Sequence, residues 1–216
     1  MMPCFEECAG LTSVSGIITS KASTLAEVYK TVVTDAVQNQ HDPLVVPIPW
    51  RSELFESKKP LRIGYLTSIP IFPTLGDTPD TILKAKETLE APTLGRAAKY
   101  MVLDEMKRCE VDGILMPVYP YPAPLLAETD QIMGSSCYIG FWNVLDFPAG
   151  VVPFGKESAT KIDSYDDEGD YFLQLAKKSA STAQGLPIGV QIVGKPFQEE
   201  VVLRVLTELE RHKPQK

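Results

Sequence analysis

The residues best suited to nucleophilic chemistry lie together in Gly134-Ser135-Ser136-Cys137, at the start of a predicted helix. Two hydroxyls and a thiol beside a glycine are groups that acyl-transfer enzymes use to attack a carbonyl carbon. Such a nucleophile needs a neighbouring base, yet His41 and His212 lie in segments without a motif, and no lysine partner can be identified. We therefore predict that Ser135 caps the helix and that Cys137 is a structural thiol.

Two pairs of adjacent carboxylates, Asp166-Asp167 and Glu199-Glu200, are the other candidates for acid–base chemistry. Neighbouring residues of a helix point about 100° apart, so Glu199 and Glu200 do not face one another. Acidic residues are also favoured at the N-terminus of a helix for electrostatic reasons. Both pairs are therefore interpreted as solvated surface.

The cysteines give no complete metal site. Cys4 and Cys8 have a spacing that could hold a metal, but no second pair of ligands completes it. The four cysteines and two histidines instead predict reduced thiols, no metal, and an intracellular protein that is cytoplasmic or peripheral to an internal membrane.

Charge excludes nucleic acid as a partner, and hydropathy excludes a transmembrane segment. The net charge is -7 and no basic stripe occurs, which excludes nucleic acid. No run reaches the ~18 apolar residues of a membrane span, so no transmembrane segment is expected, and peripheral membrane contact stays open. The N-terminus lacks the basic and apolar regions of a signal peptide.

Alternating strand and helix patterns predict a layered α/β domain. A helix begins at Ser23, where Leu25, Val28 and Val32 belong to its apolar face. Further helices are predicted at residues 78–89, 93–109, 134–147, 170–183 and 198–211, and strands at residues 61–66, 114–118 and 187–193.

A helix, a turn and a strand are predicted in residues 141–155. Pro148 cannot lie inside a helix, so the helix should end at about Phe147. Gly150 permits either a close backbone approach or a positive φ. The apolar pair Val151-Val152 indicates a strand that is buried on both faces.

Three segments of the chain carry a family resemblance: Leu145–Pro153, Gly185–Gly194 with the helix that follows it, and Pro60–Tyr65. In this order they resemble the amidase-signature family and, within it, the fatty acid amide hydrolases. The resemblance covers most of residues 14–212. It implies part of the amidase-signature fold, a mixed twisted sheet flanked by helices, formed by the C-terminal portion of that domain in residues 16–212. A disordered N-terminus is expected at residues 1–15 and a tail at 213–216.

The resemblance breaks at Ala91-Pro92, where the family has a long additional segment. This break indicates an internal deletion, an exon skip or a faulty gene model, with a naturally short variant as the alternative.

The family reaction implied is the hydrolysis of fatty acid amides by a serine, a second serine in a cis peptide and a lysine, without cofactor or metal. The family places these residues ahead of the matching portion, and the chain contains no Gly-Gly-Ser-Ser-Gly-Gly loop. We therefore expect this chain alone to be inactive. The alternative is a truncated fragment or pseudoenzyme that acts as a lipid-binding or interaction module. A nucleotide-binding module would need a Gly-rich strand-to-helix loop, which neither Gly64-Tyr65 nor Gly113-Ile114 supplies.

The resemblance also implies a binding site for a fatty acyl amide. It places four residues on the helix that lines the acyl pocket of the family, although the family prefers bulkier aliphatic residues at Ser136 and Gly140. Phe172 falls where the family often has an aromatic residue near this pocket, and ordinary core packing is the alternative for each position. Homo-oligomerisation stays open. The residues assigned to the pocket are Met133, Ser136, Gly140, Phe141 and Phe172.

Overall fold

The computed structural model describes residues 16–34, 48–70, 72–89, 103 and 106–213. Contacts divide the chain into two compact units, Met1–Trp50 and Arg51–Lys216. The predictions for residues 1–15, for His41 and for the break at Ala91-Pro92 lie outside the described residues.

The first unit contains helix α1, Ala22–Thr34, which confirms the helix predicted from Ser23. Its buried side chains are the small residues Ala22 and Ala26, whereas Val28 and Val32 stay exposed. The predicted apolar face is therefore wrong at the two valines.

In its described residues, the second unit alternates short helices with four strands, which confirms the α/β class. Most predicted elements are present within a few residues. Of the helix expected at 93–109, only residue 103 and residues 106–109 are described; residues 103 and 106–108 are helical, and residue 109 lies in a turn. The elements are α2 Ser52–Phe55, β1 Ile63–Tyr65, α3 Thr78–Leu89, β2 Gly113–Pro117, a 3-10 helix Thr129–Ser136, α4 Cys137–Val144, β3 Ala149–Lys156, α5 Tyr171–Ser181, β4 Pro187–Gly194 and α6 Glu199–His212.

The four strands form one mixed sheet in the order β1-β2-β4-β3. The β1–β2 pair is parallel, and the β2–β4 and β4–β3 pairs are antiparallel. The side chains of β3, an edge strand of this described sheet, point alternately to its two faces: Val152 is buried, whereas Val151 is 46% exposed. The prediction that both valines are buried is therefore wrong.

Helices cover both faces of this sheet. On one face, α3 and α6 pack on the strands through buried residues such as Ile82, Val202 and Leu206. On the other face, the side chains of Ile114 and Met116 join a core that includes residues of the 3-10 helix, α4 and α5. Alternate residues of β2 serve the two faces, as the period of a strand requires.

The α6 helix begins with a buried ion pair that contradicts one prediction. The Glu200 side chain is 4% exposed and its carboxylate contacts the Arg51 guanidinium at 2.7 Å. The same carboxylate accepts a hydrogen bond from the Arg51 backbone amide at 3.0 Å. Glu200 is therefore not solvated, because a loop distant in sequence covers it. Glu199 also differs from the prediction, because it is half-buried and not fully solvated. This burial raises the pKa of its carboxyl group.

The acidic loop before α5 agrees with prediction at one position and differs at another. Asp166 is exposed, but Asp167 is half-buried and lies 3.5 Å from the Lys177 ammonium group. Hydrogen bonding from the Gly169 amide, together with Lys177, lowers the pKa of the Asp167 carboxyl group. Asp167 therefore organises the turn.

Candidate functional site

The pocket-helix region predicted at residues 134–147 has two parts. The 3-10 helix runs to Ser136 and has a non-helical Ile132, and the α-helix α4 begins only at Cys137. The α-helix ends at Val144, three residues before Phe147. The Phe147 amide donates to the Trp142 carbonyl at 3.0 Å and Asp146 has a φ of 52°, which together form a Schellman-type end.

One side of α4 is held firmly on the sheet. The Trp142 indole donates a hydrogen bond to the Met116 sulfur at 3.1 Å. The Tyr138 hydroxyl donates to the Phe72 carbonyl at 2.8 Å and accepts from the Ile69 amide at 3.0 Å. Its backbone carbonyl accepts from the buried Gln191 side chain at 3.1 Å. These bonds fix the rotation of α4 about its axis, and thus the direction of its other side.

Ser135 is a buried structural residue and not a helix cap. Its hydroxyl donates to the Ile132 carbonyl at 2.6 Å and is hydrogen-bonded to the Tyr121 hydroxyl. Burial raises the pKa of Tyr121 to about 12, so the phenol stays protonated at neutral pH and is a poor base. The residue before α4 is Ser136, whose side chain makes no capping bond. The predicted cap is therefore wrong.

Cys137 has the properties of an unreactive thiol. It is free of disulfides and half-buried, and burial raises the pKa of its thiol. Since the thiolate is the reactive form, this shift disfavours nucleophilic attack. Neither Ser135 nor Cys137 thus has the environment of an activated nucleophile.

The opposite side of the pocket helices is an exposed apolar surface. Met133, Phe141 and Val144 are 52%, 49% and 58% exposed. A methyl group added at Gly140 would meet no atom within 4 Å, so the backbone there borders open space. Within α4, the spacing of Gly140, Phe141 and Val144 places them on one side, and Met133 lies on the 3-10 helix that leads into α4. We call this surface, formed by Met133, Gly140, Phe141 and Val144, the α4 face.

Ser136 borders the α4 face and is linked to a loop. Its hydroxyl lies 3.0 Å from the hydroxyl of Tyr119, which follows β2, and both residues are half-buried. The structure thus brings Met133, Ser136, Gly140 and Phe141 onto or beside one surface. The sequence places Val144 on the same helical face as Phe141, but the pocket assignment did not include it. The assignment also lacked Tyr119, for which the sequence gives no signal.

Phe172 lies on the neighbouring helix α5. It is 51% exposed, and its amide donates to the capping carboxylate of Asp170 at 2.9 Å. The adjacent Tyr171 hydroxyl donates to the Gln131 side chain at 3.0 Å, which ties the start of α5 to the 3-10 helix. Phe172 is therefore held beside the pocket helices, but no described contact joins its ring to the α4 face.

The residues around these helices provide neither a metal centre nor a membrane span. Across the described ranges, no group of three or more His, Cys, Asp or Glu residues could hold a metal ion. Among the helices described, none is long and apolar enough to cross a membrane.

Glu128, ahead of the 3-10 helix, is bonded to Lys178 at 2.7 Å, and this hydrogen bond lowers the pKa of its carboxyl group.

Comparison with known proteins places these elements in a family. Residues 94–203 match the Amidase family model. Fatty acid amide hydrolase 1 of Caenorhabditis elegans is 32% identical over 158 residues, 70% of this chain and 28% of the relative. Fatty-acid amide hydrolase 1 of Sus scrofa is 33% identical over 117 residues, 52% of this chain and 20% of the relative. The matched segments are thus less than a third of each relative.

Solved structures agree on the fold. A fatty acid amide hydrolase superposes with a TM-score of 0.68 at 17% identity, covering 94% of this chain and 51% of the other. A 6-aminohexanoate cyclic dimer hydrolase has a TM-score of 0.50 at 16% identity and covers 79% of this chain and 49% of the other. The chain belongs to the amidase-signature family and is a fatty acid amide hydrolase-like member of it.

Proposed function

We propose that the chain supplies the acyl-binding portion of a fatty acid amide hydrolase-like amidase, and that its α4 face binds the fatty acyl chain. On this proposal residues 16–212 are the C-terminal portion of an amidase-signature domain. The family reaction is the hydrolysis of a fatty acid amide to a fatty acid and an amine.

The observation that carries this proposal is the exposure of the α4 face. Met133, Phe141 and Val144 expose about half of their surface, while Tyr138 and Trp142 on the other side are buried. An apolar surface on a rigidly held helix is suited to an alkyl chain. The rotation of the helix is already fixed, so binding does not have to order it. Gly140 leaves space beside Phe141 in which methylene groups could lie.

The described residues do not supply a serine nucleophile for the proposed reaction. The 216 residues contain no Gly-Gly-Ser-Ser-Gly-Gly loop, and Ser135 is committed to Ile132 and Tyr121. We therefore propose that these residues bind the acyl chain but do not attack the amide. The alternative function is a lipid-binding module. It shares the α4 face and differs from the proposal only in that no hydrolysis follows binding.

Quenching of Trp142 fluorescence tests acyl binding. The Trp142 ring lies 5.1 Å from the Phe141 ring, so a brominated fatty acyl ethanolamide on the α4 face should quench it. A Trp50→Phe background leaves Trp142 as the sole tryptophan. Phe141→Ser should weaken binding about tenfold or more, since burying a phenyl ring contributes about 1.5–3 kcal/mol. Leu83→Ser, at an exposed leucine on α3, is the matched control and should bind normally. Absence of quenching in the background protein would refute the proposal.

A fluorophosphonate probe, which labels activated serines, tests the nucleophile. We expect no labelling of the 216-residue chain above that of the heat-denatured protein. Stoichiometric labelling of Ser135 or Ser136, located by mass spectrometry, would show that the chain carries its own nucleophile.

A further inference from the structure

The Tyr119 and Ser136 hydroxyls form a half-buried pair in which one proton is left for solvent or a ligand. Their oxygens are 3.0 Å apart, and either group can be the donor. A single hydrogen bond uses one of the two hydroxyl protons. The second proton has no acceptor within residues 48–70, 72–89, 103 and 106–213. The half-buried pair therefore offers one free hydrogen-bond donor.

The neighbouring pair of the same residue types shows what a purely structural arrangement is like. Ser135 is fully buried and bonds both to the Tyr121 hydroxyl and to the Ile132 carbonyl, so both of its hydroxyl functions are used. The Tyr119–Ser136 pair lacks that second carbonyl and is half-exposed.

The position of the free donor relates it to the α4 face. Ser136 is three residues after Met133 and four before Gly140, which are the spacings of neighbours on a helical surface. A β-carbon at Gly140 would meet no neighbouring side chain within 4 Å, so the position four residues after Ser136 is open to a ligand. A polar donor therefore stands at the edge of an apolar surface.

We propose that the Tyr119–Ser136 pair donates a hydrogen bond to an oxygen atom of the fatty acyl ligand. This inference rests on the proposed acyl binding and adds a preference for oxygen-bearing ligands. The oxygen is either that of the head group or a substituent along the chain. Both are acceptors of the same kind, and the geometry of the pair suits either one.

The test compares three brominated ligands of equal chain length by Trp142 quenching in the Trp50→Phe background. They are octadecane, stearic acid and stearic acid with a mid-chain hydroxyl. Because either hydroxyl could donate alone, both are removed in Tyr119→Phe/Ser136→Ala. The double variant should weaken the binding of hydroxystearic acid, alone or together with stearic acid, about three- to tenfold. The affinity for octadecane should be unchanged. A loss for both acids identifies the head-group oxygen, and a loss confined to hydroxystearic acid identifies the chain oxygen.

A matched control separates hydrogen bonding from positioning of the helix. Tyr171→Phe removes the bond to Gln131 that also anchors the 3-10 helix, and it should leave all three affinities unchanged. Equal weakening of all three ligands by the double variant, or the same selective loss in Tyr171→Phe, would overturn the inference. Unaltered affinity for both acids would overturn it too. If no ligand quenches Trp142 before mutation, acyl binding itself has failed.

Discussion

The Trp142 and Phe147 rings pack together across the end of α4, with their centroids 5.8 Å apart. Their backbones are joined as well, because the Phe147 amide donates to the Trp142 carbonyl. In a Schellman motif an apolar contact commonly accompanies this hydrogen bond. The pair therefore connects the helix that carries the α4 face to the strand β3 that follows Pro148.

Phe147→Ala should strongly destabilise the protein, because it leaves a cavity beside Trp142 and removes the apolar half of this helix end. We expect the free energy of unfolding to fall by about 3–5 kcal/mol. Phe172→Ala is the matched control, since Phe172 is 51% exposed, and it should cost less than about 1 kcal/mol. Urea unfolding followed by Trp142 fluorescence measures both. Equal shifts of the midpoint would contradict the assigned role of Phe147.

Substitution by alanine should change the stability of the protein in opposite directions at two glycines, one on each side of this helix end. A β-carbon at Gly150 would lie 2.5 Å from the Leu206 side chain and 3.1 Å from that of Val202, so Gly150→Ala should cost about 1–3 kcal/mol. Gly140→Ala adds a methyl group into open space within a helix and should stabilise by about 0.5–1 kcal/mol. Thermal unfolding of both variants gives the signs. Stabilisation by Gly150→Ala would show that Leu206 can move away freely.

Glu200→Ala should destabilise through its partner Arg51. The substitution removes the acceptor of the Arg51 amide and guanidinium, and we expect a loss of about 1–3 kcal/mol, moderated because Arg51 reaches solvent. Glu208→Ala, which breaks an exposed pair with Arg211 on the same helix, should cost less than about 0.5 kcal/mol. A double-mutant cycle with Arg51→Ala isolates the pair. A coupling energy near zero would refute it.

The stability of the protein should depend on the ionisation of Asp77. Burial alone would raise its carboxyl pKa, but hydrogen bonds from Ser158 at 2.8 Å and from Lys161 at 3.1 Å lower the pKa below its ordinary value. This contribution is present above the unfolded pKa of about 4 and is lost as pH falls through the lower folded pKa. Asp77→Asn should therefore flatten the acid limb of stability measured by denaturant unfolding. Superimposable acid limbs would contradict the prediction.

Local sequence patterns predicted those elements whose signals are themselves local. Pro79 at the start of α3 and the apolar strand at Ile114 are examples, and both are confirmed. Of the two alternatives for Gly150, the close approach is confirmed, because a β-carbon there would lie 2.5 Å from the Leu206 side chain, and Gly150 does not have a positive φ. The helix end was misplaced because Asp146 adopts a positive φ, which a rule based on Pro148 does not anticipate.

Burial decided by distant residues could not be predicted from sequence. Glu200 has the pattern of a solvated helix N-terminus, and only Arg51, brought near by the fold, makes it a buried ion pair. Ser135 and Ser136 are adjacent and identical in type, yet one bonds to Tyr121 and the other to Tyr119. Which serine is buried depends on the rotation of the helix, and that rotation is set by Tyr138 and Trp142.

Photoaffinity labelling tests the central claim, that the α4 face binds a fatty acyl chain. A fatty acyl ethanolamide with a diazirine in its chain would be irradiated with the 216-residue protein, and the modified peptides mapped by mass spectrometry. The account predicts saturable labelling within residues 133–144, reduced in Phe141→Ser and displaced by unlabelled ligand. Labelling that is unsaturable, or that falls mainly outside these residues, would contradict it.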